Sequence, residues 1–86
     1  MANKPRQKEF TSHKENKYVF QSVPNSTYLE IMDNCTNEDG KPIISKLYPS
    51  VLEHIVVQPN GLNVDDFENF NELREVCENA ITFQQS

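Results

Sequence analysis

The clearest pattern of apolar and polar positions lies near the C-terminal end of the chain. With about 100° between successive residues of a helix, the apolar residues there share one side. They are Phe70, Leu73, Val76, Cys77, Ala80, Ile81 and Phe83. Glu72, Glu75 and Glu78 fall on the other side, where we expect a solvated acidic surface. The pattern predicts an amphipathic helix over residues 70–83.

Two further helices are predicted upstream. Between residues 43 and 55, pairs of apolar residues recur every four positions, a spacing typical of a helix. Pro49 falls on the polar side of this helix, where its missing N–H group is expected to bend the helix outward. Between residues 26 and 36, apolar positions again share one side. Thr27, with Glu30 three residues later, has the spacing of a capping box.

The remaining patterns predict strands and one turn. Residues 8–22 are expected to form a β-hairpin, whose second strand at residues 17–21 is rich in aromatic and β-branched side chains. Residues 55–58 end before a proline and are rich in β-branched side chains, so they favour an extended segment that can pair as a third strand. Asn63 is suited to cap a helical turn over residues 64–68.

Together these elements predict an α+β fold. An N-terminal β-hairpin, joined by the third short strand near residues 55–58, packs against about three amphipathic helices, at about residues 26–36, 43–55 and 70–83. A two-stranded hairpin is only marginally stable by itself, so its apolar side needs the helices. We expect a single small domain over residues 8–86, preceded by a disordered basic tail at residues 1–7.

Charge is distributed unevenly along the chain. Residues 1–17 contain five basic and two acidic residues, whereas residues 18–86 contain three basic and eleven acidic ones. The acidic body would repel a phosphate backbone, and it suits a basic protein partner better. Since neither a bilayer-length apolar run nor a signal-peptide pattern occurs, we expect no membrane insertion or export. A chain of 86 residues also leaves little room for a self-contained enzyme.

No group of residues has the spacing of a catalytic, cofactor or metal site. Residues 33–44 resemble a calcium-binding EF-hand loop, but Glu38 replaces its glycine and Ile44 replaces its bidentate glutamate. Cys35 and Cys77 are predicted on the apolar sides of helices, where burial makes a thiol unreactive. We therefore expect a non-catalytic protein with no cofactor and no bound metal.

The order of several short segments resembles a known protein family. In sequence letters they are KYVFQSVP at 17–24, YLEIMDNCTN at 28–37, DG at 39–40, LEHIVVQP at 52–59, DDFE at 65–68, LREV at 73–76 and ITF at 81–83. This order resembles that of the small tail assembly chaperones of long-tailed bacteriophages that infect Gram-positive hosts. The resemblance spans about residues 17–83 and contains no catalytic signature.

The resemblance implies a function and partners. Such viral chaperones bind the tape measure protein, a long helical and apolar chain, and keep it soluble while tail tube subunits polymerise around it. They act in the host cell cytoplasm during virion morphogenesis and are absent from the mature virion. In many relatives a programmed frameshift adds a domain that recruits tail tube protein.

We expect the partner-binding surface to use apolar side chains placed at the borders of amphipathic helices. The candidate residues are Tyr28, Met32, Phe70, Leu73, Ile81 and Phe83. Exposed helix sides of this kind also allow self-association of the chain.

Two alternative functions are also compatible with the sequence. One is another phage morphogenesis component, such as a head–tail joining protein that stays in the virion. The other is a small nucleic-acid-binding regulator that uses the basic residues 1–17, although the acidic body argues against it.

Overall fold

A computed structural model describes residues 5–86 of the chain. It is an α+β structure, which confirms the predicted fold class. The elements in chain order are strand β1 (Gln7–Thr11), strand β2 (Lys17–Gln21), helix α1 (Asn25–Asn34), helix α2 (Ile44–His54), strand β3 (Val56–Gln58), a 3-10 turn (Val64–Asp66) and helix α3 (Phe70–Gln85).

The three strands form one antiparallel sheet in the order β1-β2-β3. In the hairpin, Gln7 pairs with Gln21 and Thr11 pairs with Lys17. Along β2, side chains alternate between the two sides of the sheet, so that Tyr18 and Phe20 are buried while Lys17 is exposed. The third strand predicted from the residues before Pro59 is therefore confirmed, and it completes a sheet that a hairpin alone would leave marginal.

The segment predicted as a basic tail, residues 1–7, lies partly outside the described residues. Within them, Gln7 already belongs to β1. Arg6 continues the hairpin, because its N–H donates to Ser22 Oγ at 2.8 Å and its carbonyl accepts from the Ser22 N–H at 2.8 Å. The Arg6 guanidinium reaches the end of α3 and donates to the carbonyls of Phe83 at 3.2 Å and Gln84 at 3.5 Å. A cation at this position suits the negative end of the helix dipole.

The starts of the helices differ in part from the predicted ones. The capping box expected at Thr27 and Glu30 is wrong, because α1 begins two residues earlier than Thr27, at Asn25, and has no side-chain cap. Its first turn closes instead through the carbonyl of Pro24, which accepts from the Tyr28 N–H at 3.0 Å. In α3 the cap is Asn69, whose Oδ1 accepts from the Glu72 N–H at 2.9 Å.

The predicted position of Pro49 and the predicted cap at Asn63 are confirmed, although the turn that follows Asn63 ends at Asp66 rather than at residue 68. Pro49 lies inside α2 on its exposed side, where the loss of one backbone donor is tolerated. Asn63 caps the short turn at Val64–Asp66, because its Oδ1 accepts from the Asp65 N–H at 3.0 Å. In return, the Asn63 N–H donates to Asp66 Oδ2 at 2.9 Å.

The hydrophobic core lies where the sheet meets α2 and α3. Its largest almost fully buried side chains come from β2, α2, α3 and the residues that follow α1 and α2. They are Phe20, Leu52, Ile55, Val51, Val76, Cys35 and Cys77. Phe20 stacks on Phe10 of β1 at a centroid distance of 5.3 Å and approaches Phe83 of α3 at 6.1 Å. The aromatic contacts therefore join the hairpin to the last helix.

Candidate partner-binding surface

The six residues expected at a partner surface occupy three different environments. Leu73 and Phe83 are each only 8% exposed and belong to the core cluster. Phe83 is further covered by the Arg6 guanidinium, which lies 5.1 Å from the centre of its ring. These two side chains are engaged inside the fold and offer little surface to a partner.

Three of the candidates lie at the border of the core. Tyr28, Met32 and Ile81 are partly buried and pack against the core cluster, so each presents part of its side chain to solvent. Phe70 is different, because 59% of it is exposed at the start of α3. The guanidinium of Arg74, one helical turn later, lies 6.0 Å from the centre of the Phe70 ring and partly covers it.

The candidates do not form one continuous surface. Gln85 Nε2 donates to Tyr28 Oη at 2.9 Å, which places the start of α1 beside the end of α3. Phe70 lies at the opposite end of α3, about 22 Å along the helix axis at 1.5 Å per residue. Phe70 and the α1 residues are therefore separate exposed sites.

Leu29 is an exposed apolar residue that the sequence reasoning did not single out. It is 63% exposed, more than any other large hydrophobic side chain of the described residues. The exposure of Leu29 is nevertheless indicated by its angular position on helix α1. The buried centre of that helix lies between Ile31 and Cys35, and Leu29 projects about 140° away from it. The expectation that the apolar residues between 26 and 36 share one side of the helix is therefore wrong for Leu29.

A buried carboxylate joins the hairpin to α3. Glu72 is only 5% exposed, so the prediction that it belongs to a solvated acidic side of the last helix is wrong. Its Oε2 accepts from Tyr18 Oη at 2.7 Å and from Asn16 Nδ2 at 3.1 Å. These donors come from β2 and the hairpin loop, so the polar side of α3 serves here as an internal contact.

A second acidic residue holds the same loop. Glu75 accepts from the His13 N–H through both carboxylate oxygens, at 3.1 and 3.3 Å, and lies 2.8 Å from His13 Nδ1. Glu72 and Glu75 are three residues apart, so they lie on neighbouring positions of one helix side. Together they position the tip of the hairpin against α3.

The electrostatics of Glu72 follow from two opposing causes. Burial raises the pKa of this carboxyl group, but hydrogen bonds donated by Tyr18, Ser12 and Asn16, with the charge of Lys14, outweigh burial and leave the pKa below its usual value. Burial, and then the hydrogen bond to Glu72, raises the pKa of Tyr18. The charged carboxylate and the neutral phenol are thus the stable pair near neutral pH.

The lowered pKa predicts an acid-sensitive contribution to stability. A group whose pKa is depressed by folding stabilises the fold above its unfolded pKa, near 4.3, and loses that contribution as the pH falls through the folded value. Glu72→Gln should therefore lower the free energy of unfolding by roughly 1–3 kcal/mol at pH 7. Because wild-type Glu72 becomes neutral in acid, this difference should shrink towards pH 3. Urea unfolding midpoints across this pH range measure it.

Glu68→Gln provides the matched control for this measurement. Glu68 is exposed, and its carboxylate has no hydrogen-bond partner among the described residues. The control should follow the wild-type pH dependence throughout. An equal loss of stability for Glu72→Gln at pH 7 and pH 3 would contradict the assignment of the charged state.

The two thiols are buried apolar groups, as expected. Burial raises the pKa of the Cys77 thiol to about 12, and its Sγ lies 3.9 Å from the carbonyl oxygen of Tyr48. Cys35 is also free and buried. Within residues 5–86, no three His, Cys, Asp or Glu side chains are grouped closely enough to hold a metal ion.

Comparison with known proteins returned no significant match to a family model, a curated protein sequence or a solved structure. None of the helices within residues 5–86 has the length and apolar character that crossing a membrane requires.

Proposed function

We propose that this protein is a tail assembly chaperone of a long-tailed bacteriophage. It binds the tape measure protein and keeps it soluble while tail tube subunits assemble around it. The observation that carries the proposal is the order of segments between residues 17 and 83, which resembles that of the chaperones of phages that infect Gram-positive hosts.

The surface chemistry supports a role as an adaptor for an apolar partner. Leu29, Ile44 and Phe70 are exposed on three different helices, so apolar contacts are available at several places. The net charge of −5 keeps a small protein soluble while it uses such contacts. Many copies bound along an aggregation-prone chain would stabilise its soluble form by mass action.

The proposal also specifies where the protein acts. It works in the cytoplasm of the host cell and leaves the tail before the virion matures. A longer, frameshifted product of the same gene would recruit the tail tube protein, and copies of the chain would associate with one another along the tape measure protein. A head–tail joining protein, in contrast, would remain in the particle.

Co-expression with the tape measure protein of the same phage genome tests this function. We expect the soluble fraction of the tape measure protein to rise severalfold when this chain is present, and the two proteins to co-purify. An unrelated acidic protein of similar size serves as the control for non-specific effects of expression. An equally insoluble tape measure protein in both cases would refute the proposed function. Detection of this chain by mass spectrometry in purified virions would point to a joining protein instead.

A further inference from the structure

Around the axis of helix α1, the surface changes from apolar side chains to acidic ones. At about 100° per residue, Tyr28 and Met32 lie at one border, Leu29 follows, and Asp33 and Glu30 come next around the helix. Tyr28 and Met32 are partly buried, while Leu29, Asp33 and Glu30 are exposed. We call these five residues the α1 face.

The acidic part of the α1 face has no internal counter-charge. Helix α1 contains no basic residue. Among residues 5–86, no lysine or arginine lies within ion-pair distance of Glu30 or Asp33. The following loop adds Glu38 and Asp39 against the single basic Lys41, so the sequence from α1 through this loop is net acidic. Arg6 lines the same cleft as Tyr28, and its guanidinium donates to the end of α3.

We propose that the α1 face binds a helix of another protein whose apolar stripe is bordered on one side by lysine or arginine residues. A helix in this position would bury Leu29 and the accessible parts of Tyr28 and Met32 under its apolar stripe. Its basic border would meet Asp33 and Glu30, so the match of charge selects both the partner and its orientation. Phe70 is not part of this site, because it lies at the end of α3 that is far from α1.

This surface deepens the proposed function, on which it rests for the identity of its biological partner. If the chain is a tail assembly chaperone, the helix belongs to the tape measure protein. The chemistry of the α1 face can nevertheless be tested without that protein. The test therefore distinguishes a failure of the surface from a failure of the function.

Two designed helical peptides serve as probes. Both carry the same leucine stripe; one has lysines along one border of the stripe, and the other has glutamates at the same positions. Fluorescence anisotropy with labelled peptide measures each Kd. We expect the lysine peptide to bind the wild-type chain and the glutamate peptide not to bind. Added salt should raise the Kd of the lysine peptide.

Substitutions in the α1 face locate the binding. Leu29→Ala should raise the Kd of the lysine peptide about tenfold, as expected for a central apolar contact. The pair Glu30→Gln and Asp33→Asn should also raise it and should reduce its dependence on salt. Leu29 is exposed, so its truncation leaves the core intact, and circular dichroism checks the fold of each variant.

Matched controls distinguish binding at the α1 face from non-specific attraction of a basic peptide to an acidic protein. Val57→Ala removes a partly exposed apolar side chain of β3, and Asp65→Asn with Glu68→Gln removes two carboxylates elsewhere. Neither change should alter the Kd. The proposal is overturned if the lysine peptide does not bind, if Leu29→Ala leaves the Kd unchanged, or if the distant pair weakens binding as much as the α1 pair. It is also overturned if sedimentation shows a dimer that Leu29→Ala dissociates, since a second copy would then occupy the face.

Discussion

Phe20→Ala is expected to lower the free energy of unfolding by about 3–5 kcal/mol, the range for truncation of a large core side chain. Phe20 is 0% exposed and lies on the central strand, between Phe10 of β1 and Phe83 of α3. Its removal would open a cavity where the sheet and the last helix meet. Since a domain of this size has roughly 4–13 kcal/mol in total, much of the stability should be lost. The midpoint of urea unfolding, followed by circular dichroism, measures the change.

Val19→Ala on the same strand is the matched control for the Phe20 variant. Val19 points to the other side of the sheet and is only partly buried. Its truncation is expected to cost less than about 1.5 kcal/mol, because less packing is lost. Similar losses at Val19 and Phe20 would contradict a core that lies on one side of the sheet.

Tyr18→Phe is expected to lower the free energy of unfolding by about 1.5–3 kcal/mol at pH 7, the range for a hydrogen bond to a charged group. The change keeps the ring but removes the hydroxyl group that donates to Glu72 at 2.7 Å. The buried carboxylate would then depend on Asn16 Nδ2, which donates to it at 3.1 Å. Chemical denaturation at pH 7 measures the loss.

A double-mutant cycle separates this hydrogen bond from other effects of the substitutions. Tyr18→Phe should cost clearly less in the Glu72→Gln background than in the wild type, because the charged acceptor is already absent. Tyr28→Phe is the matched control, since within residues 5–86 its hydroxyl group takes part only in an exposed hydrogen bond from Gln85. Its cost should be small. Additive effects at Tyr18 and Glu72 would show that the pair contributes no coupling energy.

The features of the fold that were predicted correctly are local in sequence. The paired apolar residues of α2 indicate a helix whatever surrounds them, and Pro49 is tolerated because it falls on the solvent side of that same pattern. The β-branched residues before Pro59 likewise favour an extended segment within a few residues. Local patterns of this kind favour a helix or a strand without contacts from residues distant in sequence.

The features that were missed depend on contacts between distant residues. The periodicity of α3 places Glu72 on its polar side, but the hairpin loop packs there and supplies Tyr18 and Asn16 as donors. Likewise, amphipathic placement alone could not separate Phe70, which is exposed, from Leu73, which is buried. Helical periodicity indicates which residues share a side of a helix, whereas the other elements decide how far that side is covered.

The hydrogen bonds of Arg6 hold the two ends of the described chain close together. Its guanidinium donates to Ser86 Oγ at 3.3 Å as well as to the last carbonyls of α3, so residues at the two ends of the described chain are neighbours. A covalent link between these ends would need only a short connector. Its main effect would be on the unfolded chain, whose conformational entropy a cyclic backbone reduces while the native contacts stay as they are. Arg6 and Ser86 are already in contact at the place where such a ring would close.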